Sequence, residues 1–156
     1  MKIYSANSEA TVTLTTSIGL VATVGHFYRG EPVHIEHRIK VLKLRISERY
    51  DYFIGLSNLK APSKIAVVDL NVGDEVVIKT DRGSYRVRIT EVMPLGSKYF
   101  RYKFEPSIVD EGDSGSPVYY DNVIVGYVTH TNVFNSIAPM LDGLLEAAKK
   151  LGSTKS

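Results

Sequence analysis

The sequence predicts an all-β protein, a sandwich or a pair of small barrels, followed by one amphipathic helix at the C-terminus. Three observations lead there. Roughly eleven short runs of alternating or β-branched residues follow one another with little between them. Tight-turn signals such as Asn71-Val-Gly-Asp74, Asp81-Arg-Gly83 and Tyr120-Asp-Asn122 separate them. Helical spacing of apolar residues appears only once, after Pro139.

In order, the β runs fall at 10–15, 18–24, 32–36, 39–47 and 51–56. A segment containing Asn58, Ala61, Pro62 and Ser63 reads as a connector. Further runs follow at 65–69, 74–80, 84–93, 97–105, 117–120 and 123–130. Beyond them Met140, Leu141, Leu144, Leu145, Ala148 and Leu151 recur at helical spacing. Lys149 and Lys150 stand in the last turn of that helix, and Gly152 provides its stop. Its apolar face is expected to pack on the protein's own β structure. The closing Gly152-Ser-Thr-Lys-Ser156 reads either as the end of a cleaved product or as a frayed terminus.

The 156 residues suffice for one compact unit or two very small ones, and 44% are hydrophobic against 23% charged, as in ordinary globular proteins. A net charge of +2 gives no reason to expect nucleic acid or an anionic membrane as partner. No apolar run is long enough for a transmembrane helix, and the first ten residues lack the apolar core of a signal peptide. With no cysteine, disulfides, zinc–thiolate sites and cysteine nucleophiles are excluded together. The expected setting is therefore cytoplasmic or virion, with no cofactor and no metal.

Residues 112–117 read Gly-Asp-Ser-Gly-Ser-Pro. A serine used for acyl transfer must project from a sharp turn beside free backbone N–H groups that bind the oxyanion of the tetrahedral intermediate. Gly112 permits the unusual backbone, leaving its own N–H and that of Ser114 for that role. Gly115 keeps bulk away from the line of attack, and Asp113 is a plausible internal anchor that would accept N–H bonds or pair with a cation. The same composition also suits a plain polar turn between strands. The α/β-hydrolase alternative needs Gly-x-Ser-x-Gly and the order serine, acid, histidine; the spacing here differs and only 42 residues follow Ser114.

A serine hydroxyl needs an imidazole to take its proton, and the imidazole needs a carboxylate to fix its tautomer. Four histidines are present. His26 ends the apolar run Leu20-Val-Ala-Thr-Val-Gly25, and His130 ends the run after the serine. On a strand His34 and Glu36 would share a face and His37 the other, so these do not converge on a metal. Asp51 opens the run Asp51-Tyr-Phe-Ile-Gly-Leu56, and Asp69 is the alternative acid.

The Gly112–Pro117 motif resembles the Gly-Asp-Ser-Gly-Gly-Pro signature of chymotrypsin-like serine proteases, with Ser116 in place of the last glycine. Thr23, Gly25 and His26 match that family's Thr-Ala-Gly-His strand end, and Phe27 stands where secreted members carry cysteine. The order His26, Asp51, Ser114 is the family's order. The resemblance spans about residues 9–151 and implies two small six-stranded-type antiparallel barrels: residues 1–62 with the histidine and aspartate, and 63–156 with the serine and the C-terminal helix.

It further implies a serine endopeptidase acting on protein or peptide through an acyl-enzyme, with Ser114, His26 and Asp51 as triad and Gly112 and Ser114 as oxyanion donors. The substrate-lining positions would be Ile108, Val109, Val128, Thr129, His130 and Thr131, mostly uncharged and so poorly suited to a basic side chain. Thr129 matches a family serine whose hydroxyl contacts the aspartate. Secreted members pair the aspartate before the serine with a freed N-terminus; here Asp113 is expected to find another partner. Two alternatives stand beside this: a protease-fold binding or structural module, such as a virion component, and a maturation protease that acts once.

Overall fold

The computed structural model describes residues 1–30 and 32–153, and its strands form two antiparallel sheets. The first contains β1 (Lys2–Ser5), β2 (Ser8–Thr11), β3 (Leu14–Thr15), β4 (Leu20–Thr23), β5 (Val33–Ile35), β6 (Ile39–Ser47) and β7 (Tyr52–Leu56). They lie in the order β2-β1-β5-β6-β7-β4-β3, curled but not closed. The second contains β8 (Glu75–Thr80), β9 (Gly83–Pro94), β10 (Phe100–Glu105), β11 (Pro117–Tyr120), β12 (Val123–His130) and β13 (Val133–Ser136). These close into a six-stranded barrel, β10-β13-β12-β11-β8-β9, and α1 (Ala138–Ser153) follows. The fold is thus the expected pair of barrels with a C-terminal helix, the first having seven strands and an open seam.

Several elements differ from expectation for local reasons. The run at 10–15 splits into β2 and β3, with Val12 and Thr13 between them, and β1 adds a strand ahead of every run the sequence marks. The β1–β2 hairpin turns at Ala6-Asn7, where Ala6 adopts φ 53° without the glycine or asparagine that usually marks such a position. The run at 65–69 forms no strand; Ile65 makes a single parallel bridge to Ile124. β13 was hidden in Val133-Phe-Asn-Ser136, too short and polar to stand out, yet it pairs with both β10 and β12. Glu36 and His37 sit in the β5–β6 turn with φ 53° and 58°, and His37 stacks on Tyr4 at 3.7 Å. By contrast, Asp121 and Asn122 form the expected hairpin turn, both at positive φ.

Two cores result. β12 serves both: Val125 and Val128 face the barrel interior, while Ile124 and Tyr127 join the first core. The helix returns to that first core, where Met140, Leu144 and Ala147 are buried, each larger side chain contributing roughly 1.5–3 kcal/mol. Leu145, counted in the apolar stripe from spacing, is 61% exposed, and Ala147 takes the inward place instead. No helix among the described residues is long and apolar enough to cross a membrane. Thr154, Lys155 and Ser156, and with them most of the segment read as product end or frayed terminus, lie outside the described residues.

The helix approaches the sheet closely at Gly143, where a Cβ would lie 2.6–2.7 Å from the ring and hydroxyl of Tyr52. Tyr52 is buried and adjoins Asp51, so the ring has little room to yield. Gly143→Ala should therefore destabilise the fold by about 1–2 kcal/mol, overpacking exceeding the gain in helix propensity. A lower urea midpoint at unchanged slope would bear this out, and an unchanged or raised midpoint would contradict it.

Candidate active site

His26 lies just beyond the end of β4, and Asp51 just before β7, which pairs with β4. This pairing brings the two together across adjacent strands. Asp51 Oδ1 accepts the backbone N–H of His26 at 2.7 Å, and its Oδ2 lies 2.7 Å from His26 Nδ1. A carboxylate only accepts, so Nδ1 carries the proton and Nε2 is left as a base. The same hydrogen bond raises the pKa of His26 above its ordinary value, partly offset by burial and by Arg29. Gly25 makes the approach possible: a Cβ there would stand 3.0 Å from the Tyr52 carbonyl and 3.2 Å from its nitrogen.

Asp51 itself has φ 54°, a left-handed conformation that aspartate tolerates better than most residues. Its position is fixed from the other barrel. Tyr127 donates its hydroxyl to the Tyr50 carbonyl at 2.5 Å, and Asn135 Nδ2 donates to the same oxygen at 3.2 Å. Burial pushes the Tyr127 phenol pKa well up, so it remains a donor through the physiological range. Neither residue carried a signal in the sequence, because their partner lies more than seventy positions away.

Ser114 sits on the loop before β11, and that loop is held with its carbonyls turned toward the first sheet. Thr11 donates its N–H to the Ser114 carbonyl at 2.8 Å and its hydroxyl to the Gly112 carbonyl at 3.0 Å. Thr13 donates its hydroxyl to the Gly115 carbonyl at 2.6 Å. Gly112 and Gly115 have φ 88° and 94°, so the chain turns sharply on both sides of the serine. Among the described residues, the N–H groups of Gly112 and Ser114 donate to no protein acceptor, whereas those of Asp113, Gly115 and Ser116 are all engaged. The serine hydroxyl donates to the Thr129 carbonyl at 3.4 Å, and no hydrogen bond joins it to His26.

Asp113 is almost fully buried and does find another partner. Arg82, at the β8–β9 turn, donates to its Oδ2, which also accepts the backbone N–H of Asp110 at 2.8 Å. Lys2 lies 3.9 Å from the other carboxylate oxygen. The carboxylate in turn raises the pKa of Arg82. Arg82 also pairs with Asp110 at 3.4 Å, whereas Glu111 faces the cleft beside Ser114.

Two cavities meet at His26. One, of about 630 Å³, is lined by His26, Asp51, Ser47, Arg49, Arg101 and His130. The other, of about 660 Å³, is lined by His26, Ser114, Gly112, Glu9, Arg29 and Glu111. His130 stacks on His26 at 5.7 Å, and its Nδ1 lies 3.2 Å from the Thr129 hydroxyl. The Thr129 hydroxyl thus meets His130, and no hydrogen bond joins it to Asp51. Val128 points into the barrel core and offers the loop only its backbone, which exchanges bonds with Gly115 and Ser116. Ile108 and Val109 are half-buried on the flank of that core, and Thr131 is exposed at the β12–β13 turn. Asp69, the alternative acid, is paired with none of the four histidines.

This is the chymotrypsin-like double-barrel fold of serine proteases. Among solved structures it is similar to the Rv3671c protease of M. tuberculosis in an inactive form, with TM-score 0.68 and 20% identity over 93% of this chain and 86% of that one. A glutamic acid-specific serine protease matches with TM-score 0.70 and 14% identity over 92% and 95%. The HtrA-type protease AlgW, bound to a decapeptide, matches with TM-score 0.68 and 14% identity over 90% of this chain and 51% of that one. No family model matches the sequence, and no curated protein does.

Proposed function

We propose that this protein is a serine endopeptidase with Ser114 as nucleophile, His26 as general base and Asp51 as its orienter. The observation that carries the reading is the double grip of Asp51 on His26, with Nε2 left free above a cavity that Ser114 also lines. On this reading residues 1–62 supply the base and its orienter, and residues 63–156 supply the nucleophile.

The chemistry follows from those positions. Rotation of Ser114 about χ1 releases its weak bond to Thr129 and directs the hydroxyl toward Nε2; such bonds are often loose before substrate binds. Nε2 takes the proton as Oγ adds to the scissile carbonyl carbon. The carbonyl oxygen becomes an oxyanion received by the N–H groups of Gly112 and Ser114. His26 then returns the proton to the departing amine, leaving the acyl-enzyme. A water, deprotonated by His26, hydrolyses that ester. The substrate is a peptide or protein.

The test is covalent labelling. Incubation with a fluorophosphonate should add one probe mass to the wild type and none to Ser114→Ala or His26→Ala. The observation on the other side is the Ser114 hydroxyl resting on Thr129. Absence of any adduct across a range of pH would assign the fold to a binding module instead.

A further inference from the structure

We infer that Lys2 is a positioning residue for the oxyanion-binding loop, acting from the first sheet through the carbonyl of Gly112. The inference rests on the serine-protease reading and adds to it a residue outside the triad and its loop. Lys2 opens β1, and its side chain is only 18% exposed. Its Nζ donates to the Gly112 carbonyl at 2.7 Å and to the Thr11 hydroxyl at 3.2 Å. Two carboxylates flank the ammonium, Asp81 at 3.7 Å and Asp113 at 3.9 Å.

The geometry matters because of what stands at 112. A glycine at φ 88° has several backbone conformations of similar energy, so nothing in the residue itself holds its N–H toward the cleft. The carbonyl is the handle. Lys2 and Thr11 fix it on the side away from the cleft, and Asp113 N–H is tied to the Asp110 carbonyl at 3.1 Å. Both ends of the peptide after Gly112 are therefore held, which anchors the residue from its carbonyl side; its N–H belongs to the preceding peptide and is oriented from that anchor through the Gly112 torsions. The bond from Lys2 is charge-assisted, hence the stronger of the two on that oxygen. Arg82 retains Asp113 on its other side, so loss of the lysine loosens the Gly112 peptide without releasing the buried carboxylate.

The test compares Lys2→Met and Lys2→Arg with the wild-type chain. Three quantities are read: kcat and KM on a cleaved peptide, affinity for a peptidyl trifluoromethyl ketone, and affinity of the parent peptide for Ser114→Ala carrying each change. With the ketone, Ser114 Oγ adds to the carbonyl carbon, its proton passes to His26, and the ketone oxygen becomes the oxyanion. Lys2→Met should lower kcat and ketone affinity together by about tenfold, a fraction of what loss of a whole oxyanion donor costs. KM and parent-peptide affinity should hold while the melting temperature falls only modestly, and Lys2→Arg should recover most of the loss in kcat and ketone affinity. Unchanged kcat and ketone affinity in Lys2→Met would overturn the inference. So would an equal weakening of ketone and parent peptide, the mark of a merely structural role. A wild type that neither cleaves nor takes the fluorophosphonate would instead overturn the protease reading, and this inference with it.

Discussion

Replacing Asp51 by Asn should lower kcat/KM by about 10⁴-fold while leaving the fold intact. The asparagine keeps an oxygen for the His26 backbone N–H, so the local geometry survives. Its amide N–H₂, however, donates where the carboxylate accepted, and Nδ1 must become the acceptor. The proton then sits on Nε2, which can no longer take one from Ser114. The pH profile separates this from simple unfolding. On the proposed mechanism the wild-type base is neutral His26, so activity should rise with pH through a point above the ordinary histidine value of about 6.5, the direction in which Asp51 moves it. In Asp51→Asn that cause is gone, and the residual activity should rise at lower pH. A profile that keeps its midpoint, or a loss of less than about tenfold, would show that Asp51 does not orient the base.

Stability should follow the opposite course. A histidine whose pKa is raised on folding contributes stability fully present below its unfolded value and lost as pH rises through the folded one. The His26–Asp51 pair therefore steadies the fold most in acid, where the proposed mechanism leaves His26 protonated and the site without a base. Asp51→Asn should accordingly melt lower than wild type at about pH 5 and differ less at about pH 8. The protein would thus work on the side of its titration where the pair contributes least to the fold.

What was legible in the sequence was the chemistry confined to short segments. Gly112 to Pro117 carries its turn in its own residues, and the glycine before His26 marks the close approach to Asp51. The C-terminal helix was readable from its period, although Leu145 is left exposed while Leu144 and Ala147 face the core, so a stripe drawn by spacing can err at its edge. What was not legible lies between distant segments. Thr11, Thr13 and Lys2 hold carbonyls about a hundred residues away; the surroundings of the two threonines read only as a plain β run, and those of Lys2 carry no run at all. Tyr127 and Asn135 reach across to Tyr50, and Arg82 reaches Asp113 from a hairpin turn. These contacts exist because the two sheets meet along the site, a relation that no local pattern encodes. β1 and β13 were missed for a related reason: each is four residues long and earns its place through partners on both sides.

The junction between the sheets is where a single methyl group should do the most damage. At Gly115 a Cβ would lie 2.1 Å from the Thr11 carbonyl oxygen and 2.4 Å from the Thr23 hydroxyl. The first is backbone of β2, held at that point by the Thr23 hydroxyl at 2.6 Å, so it cannot swing aside as a side chain would. The backbone at φ 94° adds its own strain for an alanine. Relief requires β2 and the serine loop to part, which also breaks the bonds from Thr11 N–H to Ser114 and from Thr13 to Gly115. Gly115→Ala should therefore cost roughly 3–5 kcal/mol and abolish fluorophosphonate labelling even where the chain remains folded. Gly112→Ala is the contrast. Its Cβ would meet the Glu9 carboxylate at 2.6 Å, the end of a long side chain that can move, while Lys2 Nζ at 3.3 Å needs to yield only a few tenths of an ångström. It should lose about 1–2 kcal/mol, chiefly from the positive φ. Urea unfolding of the two variants beside wild type measures the difference directly. Equal losses at the two glycines would mean that backbone conformation alone governs the loop, and that the close contact with Thr11 contributes nothing to holding Ser114 in place.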